Sequence, residues 1–107
     1  MLRGIDVSGY QPLGGGRFYS SVVETAYSGS DFVIAKATQG TRPLNSHFVA
    51  QLERALADGK LIGAYHYAEG GDPIAEADAF LACVSNYLKR AILCLDWENG
   101  DNDSWGS

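Results

Sequence analysis

Short apolar runs of β type alternate along this chain with longer stretches of helical period, and this alternation constrains the fold more than any other feature. The predicted strands are Gly4–Ser8, Phe32–Thr38, Leu61–Ala68 and Ala91–Glu98. The predicted helices lie between them, at Arg17–Ser28, Ser46–Asp58 and Pro73–Leu88. Strands joined through helices by such short connections form βαβ units, with parallel strands and right-handed crossovers. The sequence therefore predicts an α/β fold built on a parallel sheet.

Local signals mark the ends of two of these helices. Asp72 is a favourable N-cap residue, and Pro73 suits the first position of the third helix. For the second helix, Asn45 or Ser46 is the predicted cap and Gly59 is the predicted stop. These signals place both helices between strands, as βαβ units require.

The composition describes one acidic globular domain. The chain has 107 residues, 46% of them hydrophobic and 20% charged, which is enough for one core and too little for two. The net charge is −5 with no cluster of Lys and Arg, so nucleic-acid binding through phosphate neutralisation is not expected. No apolar run approaches the length of a membrane span. The opening Met1-Leu2-Arg3 leads directly into an apolar strand and shows no signal peptide.

Two sequence features are interpreted as structural. The two cysteines, Cys83 and Cys94, are too few for a disulfide scaffold or a four-thiolate zinc site, so we expect buried thiols. The run Gly14-Gly15-Gly16 lacks the spacing and the lysine of a phosphate-binding loop. We interpret it as a mobile loop at the rim of the site.

Acidic residues collect where the first and fourth strands end. Function in parallel α/β folds gathers at the carboxyl ends of strands. Because side chains alternate across a strand, Asp96 and Glu98 are predicted to share one face, and Asp6 is predicted to lie on the same face. Three ionised acids in one place would repel, so one of them is expected to hold its proton at higher pH. A protonated carboxyl beside an ionised carboxylate is the pair that glycosidic bond cleavage requires.

Four motifs, in order, resemble those of glycoside hydrolase family 25, the N-acetylmuramidases (lysozymes) of phage and bacterial endolysin type. The motifs are Gly4-Ile5-Asp6-Val7-Ser8, Asp31-Phe32-Val33-Ile34-Ala35-Lys36-Ala37-Thr38, Gly63-Ala64-Tyr65-His66-Tyr67-Ala68 and Leu95-Asp96-Trp97-Glu98. The resemblance implies a TIM-like β/α barrel that needs no cofactor and binds peptidoglycan glycan strands. It also implies hydrolysis of the β-1,4 bond between N-acetylmuramic acid and N-acetylglucosamine, at the bacterial cell wall.

The resemblance also implies a role for each matching residue. Glu98 is expected to be the general acid that protonates the leaving-group oxygen. Asp96 is expected to act on the anomeric centre, or to orient the sugar's own 2-acetamido group as the nucleophile. Asp6 is expected to tune these two acids and to hold substrate. Lys36 and Tyr65 are expected to line the sugar cleft.

Other interpretations of the same residues remain open. Asp6 could cap the turn at Gly9, and Asp96 and Glu98 could be solvated charges at the rim. Lys36 could be an ion-pair partner of one of these acids. The three acids could instead be oxygen ligands of a divalent metal in a hydrolase. A further alternative is a glycan-binding or inactive module that has kept the cleft and lost turnover.

The predicted elements amount to half of such a barrel. Eight strands close a β/α barrel, whereas residues 1–107 supply four strands and three helices as a single domain. We therefore interpret the chain as the N-terminal half of a family 25 catalytic barrel. Its outer strands and the inner face would be left open, which predicts a homodimer or a complementing C-terminal half as partner.

Overall fold

The structure, a computed structural model, describes residues 1–98 and contains a parallel sheet flanked by helices. In chain order its elements are β1 (Gly4–Val7), β2 (Leu13–Gly14), β3 (Arg17–Phe18), α1 (Ser21–Ser28), β4 (Phe32–Gln39), α2 (Phe48–Ala57), β5 (Leu61–Tyr67), α3 (Pro73–Cys83), a 3₁₀ turn (Ser85–Tyr87) and β6 (Ala91–Asp96). The α/β class predicted from the sequence is confirmed. Among these residues, no helix is long and apolar enough to cross a membrane.

The main sheet holds four strands in the order β1-β4-β5-β6, and every neighbouring pair is parallel. Each helix connects one strand to its neighbour in the sheet, which is the βαβ arrangement that the alternation predicts. The described part of the sheet does not close on itself, so β1 and β6 are its edges. This is the half barrel expected from the sequence.

The hydrophobic core lies between the sheet and the helices. The strand side chains on this face are small or β-branched and almost fully buried, as in Val7, Val33, Ala35, Ile62 and Ala64. Leu52 and Ala55 of α2 are also fully buried in this core, and Phe48 packs edge-on against Tyr87. The opposite face of the sheet is covered by none of the described helices, which leaves it available for a site.

The first helix is shorter than predicted. Arg17 and Phe18, predicted as helical, form β3 and pair antiparallel with β2. The turn between them is Gly15-Gly16, with φ of 59° and 78°, a conformation that hairpins need and that glycine adopts without strain. The glycine run interpreted as a loop is therefore the tight turn of a hairpin. The helix begins after Ser20, whose side chain accepts a hydrogen bond from the Val23 amide.

The other helix ends follow their local signals with small differences. Asp72 caps α3 by accepting a hydrogen bond from the Ile74 amide. Asn45 does not cap α2 directly, because its Oδ1 accepts from the amide of His47 in the turn that precedes the helix. Gly59 follows α2 with a φ of 75°, as expected of a helix stop.

Candidate active site

The carboxyl ends of the four parallel strands carry the acidic residues that the sequence singles out. Asp6 lies on β1 and Asp96 ends β6, while Glu98 follows two residues later, beyond the predicted strand. Asp6 and Asp96 line one cleft of about 280 Å³ together with Ile34, Tyr65, Cys94 and Leu95. We call it the acid cleft. The predicted common face of Asp6 and Asp96 is thus what the structure shows.

The acid cleft requires a curled sheet. Asp6 and Asp96 lie on the two outer strands, with two strands between them. In a flat sheet three inter-strand spacings would separate the outer strands by roughly 14 Å. Because both side chains line one cleft, the sheet must curve toward this face, as the strands of a barrel do.

Tyr65 lies on β5, between the two acidic strands, and its phenol reports their convergence. Its pKa is raised to about 12, first by burial and then by the negative charges of Asp6, Asp96 and Glu98. All three predicted acids therefore act on one hydroxyl group. The phenol stays protonated at neutral pH and is a neutral hydrogen-bond donor in an acidic cleft.

Lys36 lies beside Tyr65 on the neighbouring strand. Burial lowers the pKa of its ammonium group, and the negative charges of Asp96, Glu69 and Glu98 oppose that shift. The ammonium group donates to the Gln39 side chain and lies 4.9 Å from the centre of the Tyr67 ring. No ion pair of Lys36 is found within residues 1–98, so the expected direct pairing with an acid is replaced by longer-range attraction.

A β-bulge aims Lys36 and Gln39 at the same side of the sheet. Residues three apart on a regular strand point to opposite faces. In β4 the register with β5 shifts between Lys36 and Thr38, so that Ala37 and Thr38 are both buried toward the helices. The extra residue returns Gln39 to the face that carries Lys36.

Two further clefts continue from the acid cleft along the same edge, and the sequence analysis did not find them. The first, about 560 Å³, is lined by Tyr10, Lys36, Gln39, Tyr67 and Glu69, and we call it the tyrosine cleft. The second, about 330 Å³, shares three of these residues and extends to the loops after β1 and β4. Tyr10 and Glu69 follow strand ends closely, so the rule that located the acids could also have located them.

A buried polar network fixes the loop after β5. The sequence predicted that His66 hydrogen-bonds on the helix side, and its ring lies 2.8 Å from both Thr38 Oγ1 and Glu76 Oε1. Glu76 also accepts from the amides of Glu69 and Gly71. Burial alone would raise the pKa of Glu76, but these hydrogen bonds outweigh burial and lower it. An ionised carboxylate therefore holds the loop that carries Glu69.

Two alternatives for the acids find no support in the geometry. The turn after β1 is closed by Ser8 and Gln11, and the described hydrogen bonds of that turn do not involve the Asp6 carboxylate. Within residues 1–98, no three side chains of His, Cys, Asp or Glu are grouped so that they could hold a metal ion. Both cysteines are free thiols and half-buried.

Comparison with known proteins places this arrangement in a family. The family model described as "Glycosyl hydrolases family 25" matches residues 5–106. The chain belongs to this family. The family resemblance of the four strand-end motifs is confirmed.

The most informative relatives are muramidases. The N,O-diacetylmuramidase of Chalaropsis sp is 40% identical over 116 residues, covering 98% of this chain and 52% of that protein. The structure of a family GH25 lysozyme from Aspergillus fumigatus is 25% identical, with a TM-score of 0.69 over 99% of this chain and 49% of that one. A family 25 glycosyl hydrolase from Bacillus anthracis, at 24% identity and a TM-score of 0.74, shows the same fold. The chain spans about half the length of these relatives.

Proposed function

We propose that this protein acts in peptidoglycan hydrolysis, cleaving the β-1,4 bond between N-acetylmuramic acid and N-acetylglucosamine. The observation that carries the proposal is the convergence of Asp6, Asp96 and Glu98 on the hydroxyl of Tyr65. Membership in glycosyl hydrolases family 25 and the muramidase names of the relatives support it. The site of action would be the bacterial cell wall.

In the proposed mechanism Glu98 is the general acid. Its proton passes to the glycosidic oxygen as the bond between that oxygen and the anomeric carbon breaks. Asp96 either attacks the anomeric carbon or orients the 2-acetamido group of the same sugar to attack it. Water then takes the place of this nucleophile on the anomeric carbon and gives its proton back to Glu98. Asp6 keeps the cleft negative, which disfavours early loss of the Glu98 proton.

Lys36 and Tyr65 are proposed to bind substrate. The phenol of Tyr65 is a protonated donor inside the acid cleft, and the ammonium group of Lys36 lies at the border between the acid cleft and the tyrosine cleft. Each can donate to a hydroxyl or an amide oxygen of a sugar. Both would orient the ring against the acids instead of exchanging protons with it.

The open sheet supports a further part of the proposal, namely that residues 1–107 are the N-terminal half of a catalytic barrel. Ile92 and Leu95 of β6 are 66% and 57% exposed, and no described helix covers that strand. A second copy of the chain, or a complementing C-terminal half, would cover these side chains and complete the barrel. We propose that the chain works in such a completed form.

A glycan-binding module without turnover is the second candidate. The observation that favours it is the same open sheet, since the acids are present on only one half of a barrel. Such a module would bind walls through the clefts and leave the bonds intact.

A turbidity assay on bacterial walls tests the proposed function. Wild-type protein should lower turbidity, and Glu98→Gln should reduce that rate by roughly 10²–10⁴-fold, since a positioned acid contributes about that much. Asp96→Asn should be nearly as damaging. The control is Asp78→Asn, which removes an exposed carboxylate from α3, and it should retain the wild-type rate.

Three results would decide against the proposal. Wild-type lysis by Glu98→Gln would remove that residue from the role of acid. Loss of lysis in EDTA would favour metal chemistry. Co-sedimentation with walls, without any fall in turbidity in the dimeric or complemented form, would favour the binding module.

A further inference from the structure

Tyr10 is an exposed aromatic side chain at the edge that carries the acids. Its side chain is 90% exposed, and it lines both the tyrosine cleft and the neighbouring 330 Å³ cleft. Single exposed aromatics are common on protein surfaces and need no explanation. A ring that borders two clefts beside a candidate active site is a more specific arrangement.

The turn that carries Tyr10 is held firmly, although the ring itself is exposed. The buried side chain of Gln51 donates to the carbonyl oxygens of Ser8 at 2.8 Å and of Gln11 at 3.0 Å. The Gln11 side chain in turn accepts from the Ser8 amide at 2.8 Å, and the Tyr10 amide donates to Ser8 Oγ at 3.2 Å. An aromatic group on a fixed turn loses little freedom when a ligand binds.

The same buried amide ties this turn to the strand that carries Lys36. Asn45 Nδ2 donates to Gln51 Oε1 at 2.8 Å and to the Lys36 carbonyl oxygen at 3.0 Å. Gln51 is 1% exposed and Asn45 is 6% exposed. Buried amides cost stability unless they are hydrogen-bonded, and these two use their bonds to fix the two sides of the cleft. The distance between Tyr10 and Lys36 is thereby set by the fold.

The wall opposite Tyr10 is formed by flat polar groups and a second aromatic ring. Gln39 Nε2 donates to Glu69 Oε2 at 3.0 Å, and Arg42 Nη2 donates to the same oxygen at 2.6 Å. Tyr67 lies below the Lys36 ammonium group. Ligand sites typically combine aromatic surface with a few placed polar groups in 300–1,000 Å³, and the tyrosine cleft meets both conditions.

We propose that the tyrosine cleft binds one further N-acetylated sugar of a β-1,4-linked glycan strand, next to the unit held at the acids, with the Tyr10 ring as its platform. The inference rests on the proposed function and adds a binding subsite to it. An amino sugar fits because it has an apolar ring face for Tyr10 and hydroxyl and amide groups for Lys36 and Gln39. Gln51 is then a positioning residue that acts through the turn.

Calorimetric titration with the β-1,4-linked tetramer of N-acetylglucosamine tests the subsite. Tyr10→Ala should weaken binding about tenfold, the loss expected when one aromatic ring no longer covers a sugar face. Tyr10→Phe keeps the ring and should bind within about twofold of wild type. The matched control is Tyr19→Ala, because Tyr19 is also exposed, at 73%, and lines neither cleft.

The outcomes separate the subsite from the proposed function. Unchanged affinity in Tyr10→Ala, an equal loss in Tyr19→Ala, or no binding of the tetramer by wild type would overturn the subsite. The turbidity assay judges the hydrolytic function independently. Lysis that depends on Glu98 but does not respond to Tyr10→Ala in the titration would leave the function standing and refute the subsite.

Discussion

The ion pair between Glu24 and Arg54 joins α1 to α2 and should carry a measurable part of the stability of this chain. The two guanidinium nitrogens of Arg54 donate to the two carboxylate oxygens at 2.7 Å each, and the Phe18 amide adds a bond of 2.9 Å. The Glu24 side chain is 11% exposed and that of Arg54 is 17% exposed. The guanidinium group also lies 3.9 Å from the centre of the Tyr27 ring. Removing one partner would leave the other charge poorly solvated.

The magnitude follows from the pKa of Glu24. Its pKa falls from 4.5 to about 2, chiefly through the hydrogen bonds from Arg54, against the opposing effect of burial. That fall corresponds to roughly 3 kcal/mol of stability, and solvent screening at the partly exposed guanidinium reduces it to about 2 kcal/mol. Because the folded-state pKa is the lower one, the stabilisation is complete above about pH 5 and is lost as the pH falls through 2.

Urea unfolding at several pH values checks this prediction. Glu24→Gln should lower the free energy of unfolding by about 2 kcal/mol at pH 7, and the difference from wild type should shrink between pH 5 and pH 2. Asp78→Asn is the control, and it should change stability by less than about 0.5 kcal/mol. A Glu24→Gln difference below about 0.5 kcal/mol at pH 7, or one that does not depend on pH, would refute the reasoning.

Two further predictions concern the site and the hairpin. Absorbance titration should show that Tyr65 has a pKa of about 12, with its signal absent from Tyr65→Phe; Asp96→Asn should lower that pKa only in part, because burial is the larger cause, and an unchanged value would separate Asp96 from the phenol. Gly16→Ala should destabilise the fold by about 1 kcal/mol in thermal unfolding because its φ is 78°, whereas Gly29→Ala, at φ −89°, should not; equal effects would contradict the hairpin turn.

Features set by neighbouring residues were predictable from the sequence. The starts of β4, β5 and β6 lie at the predicted Phe32, Leu61 and Ala91, because apolar β-type runs begin there. Asp72 and Pro73 likewise mark the start of α3 by chemistry within one turn. The common face of Asp6 and Asp96 followed from strand alternation alone.

Features set by distant contacts were not predictable. The helical period of the first helix included Phe18, but in the structure the Phe18 amide is held by Glu24 within a hairpin. The bulge in β4 depends on pairing with β5, so no local signal placed Gln39 beside Lys36. The tyrosine cleft arises only when loops after three different strands meet, and a single sequence does not show such a meeting.

The open sheet leads to a last prediction, which concerns self-association. Leu93 and Leu95 of β6 are 40% and 57% exposed, and Ile92 on the other face of that strand is 66% exposed. Burying each such side chain stabilises by about 1.5–3 kcal/mol, so together they rival the stability of a small domain. Two copies related by a two-fold axis along the barrel could pair β6 of each with β1 of the other. All eight carboxyl ends, and two sets of acids, would then lie at one end.

Light scattering coupled to gel filtration decides whether this happens. We expect a dimer or larger species at micromolar concentration for wild type. Leu95→Lys should shift it toward monomer, because a charge would lie in the new interface. Val49→Lys is the matched control, since Val49 is 58% exposed but lies on α2, away from both sheet edges, and it should leave the association unchanged. A stable wild-type monomer that unfolds cooperatively would show instead that four strands suffice, because the open strands would then cost less than the area of apolar surface implies.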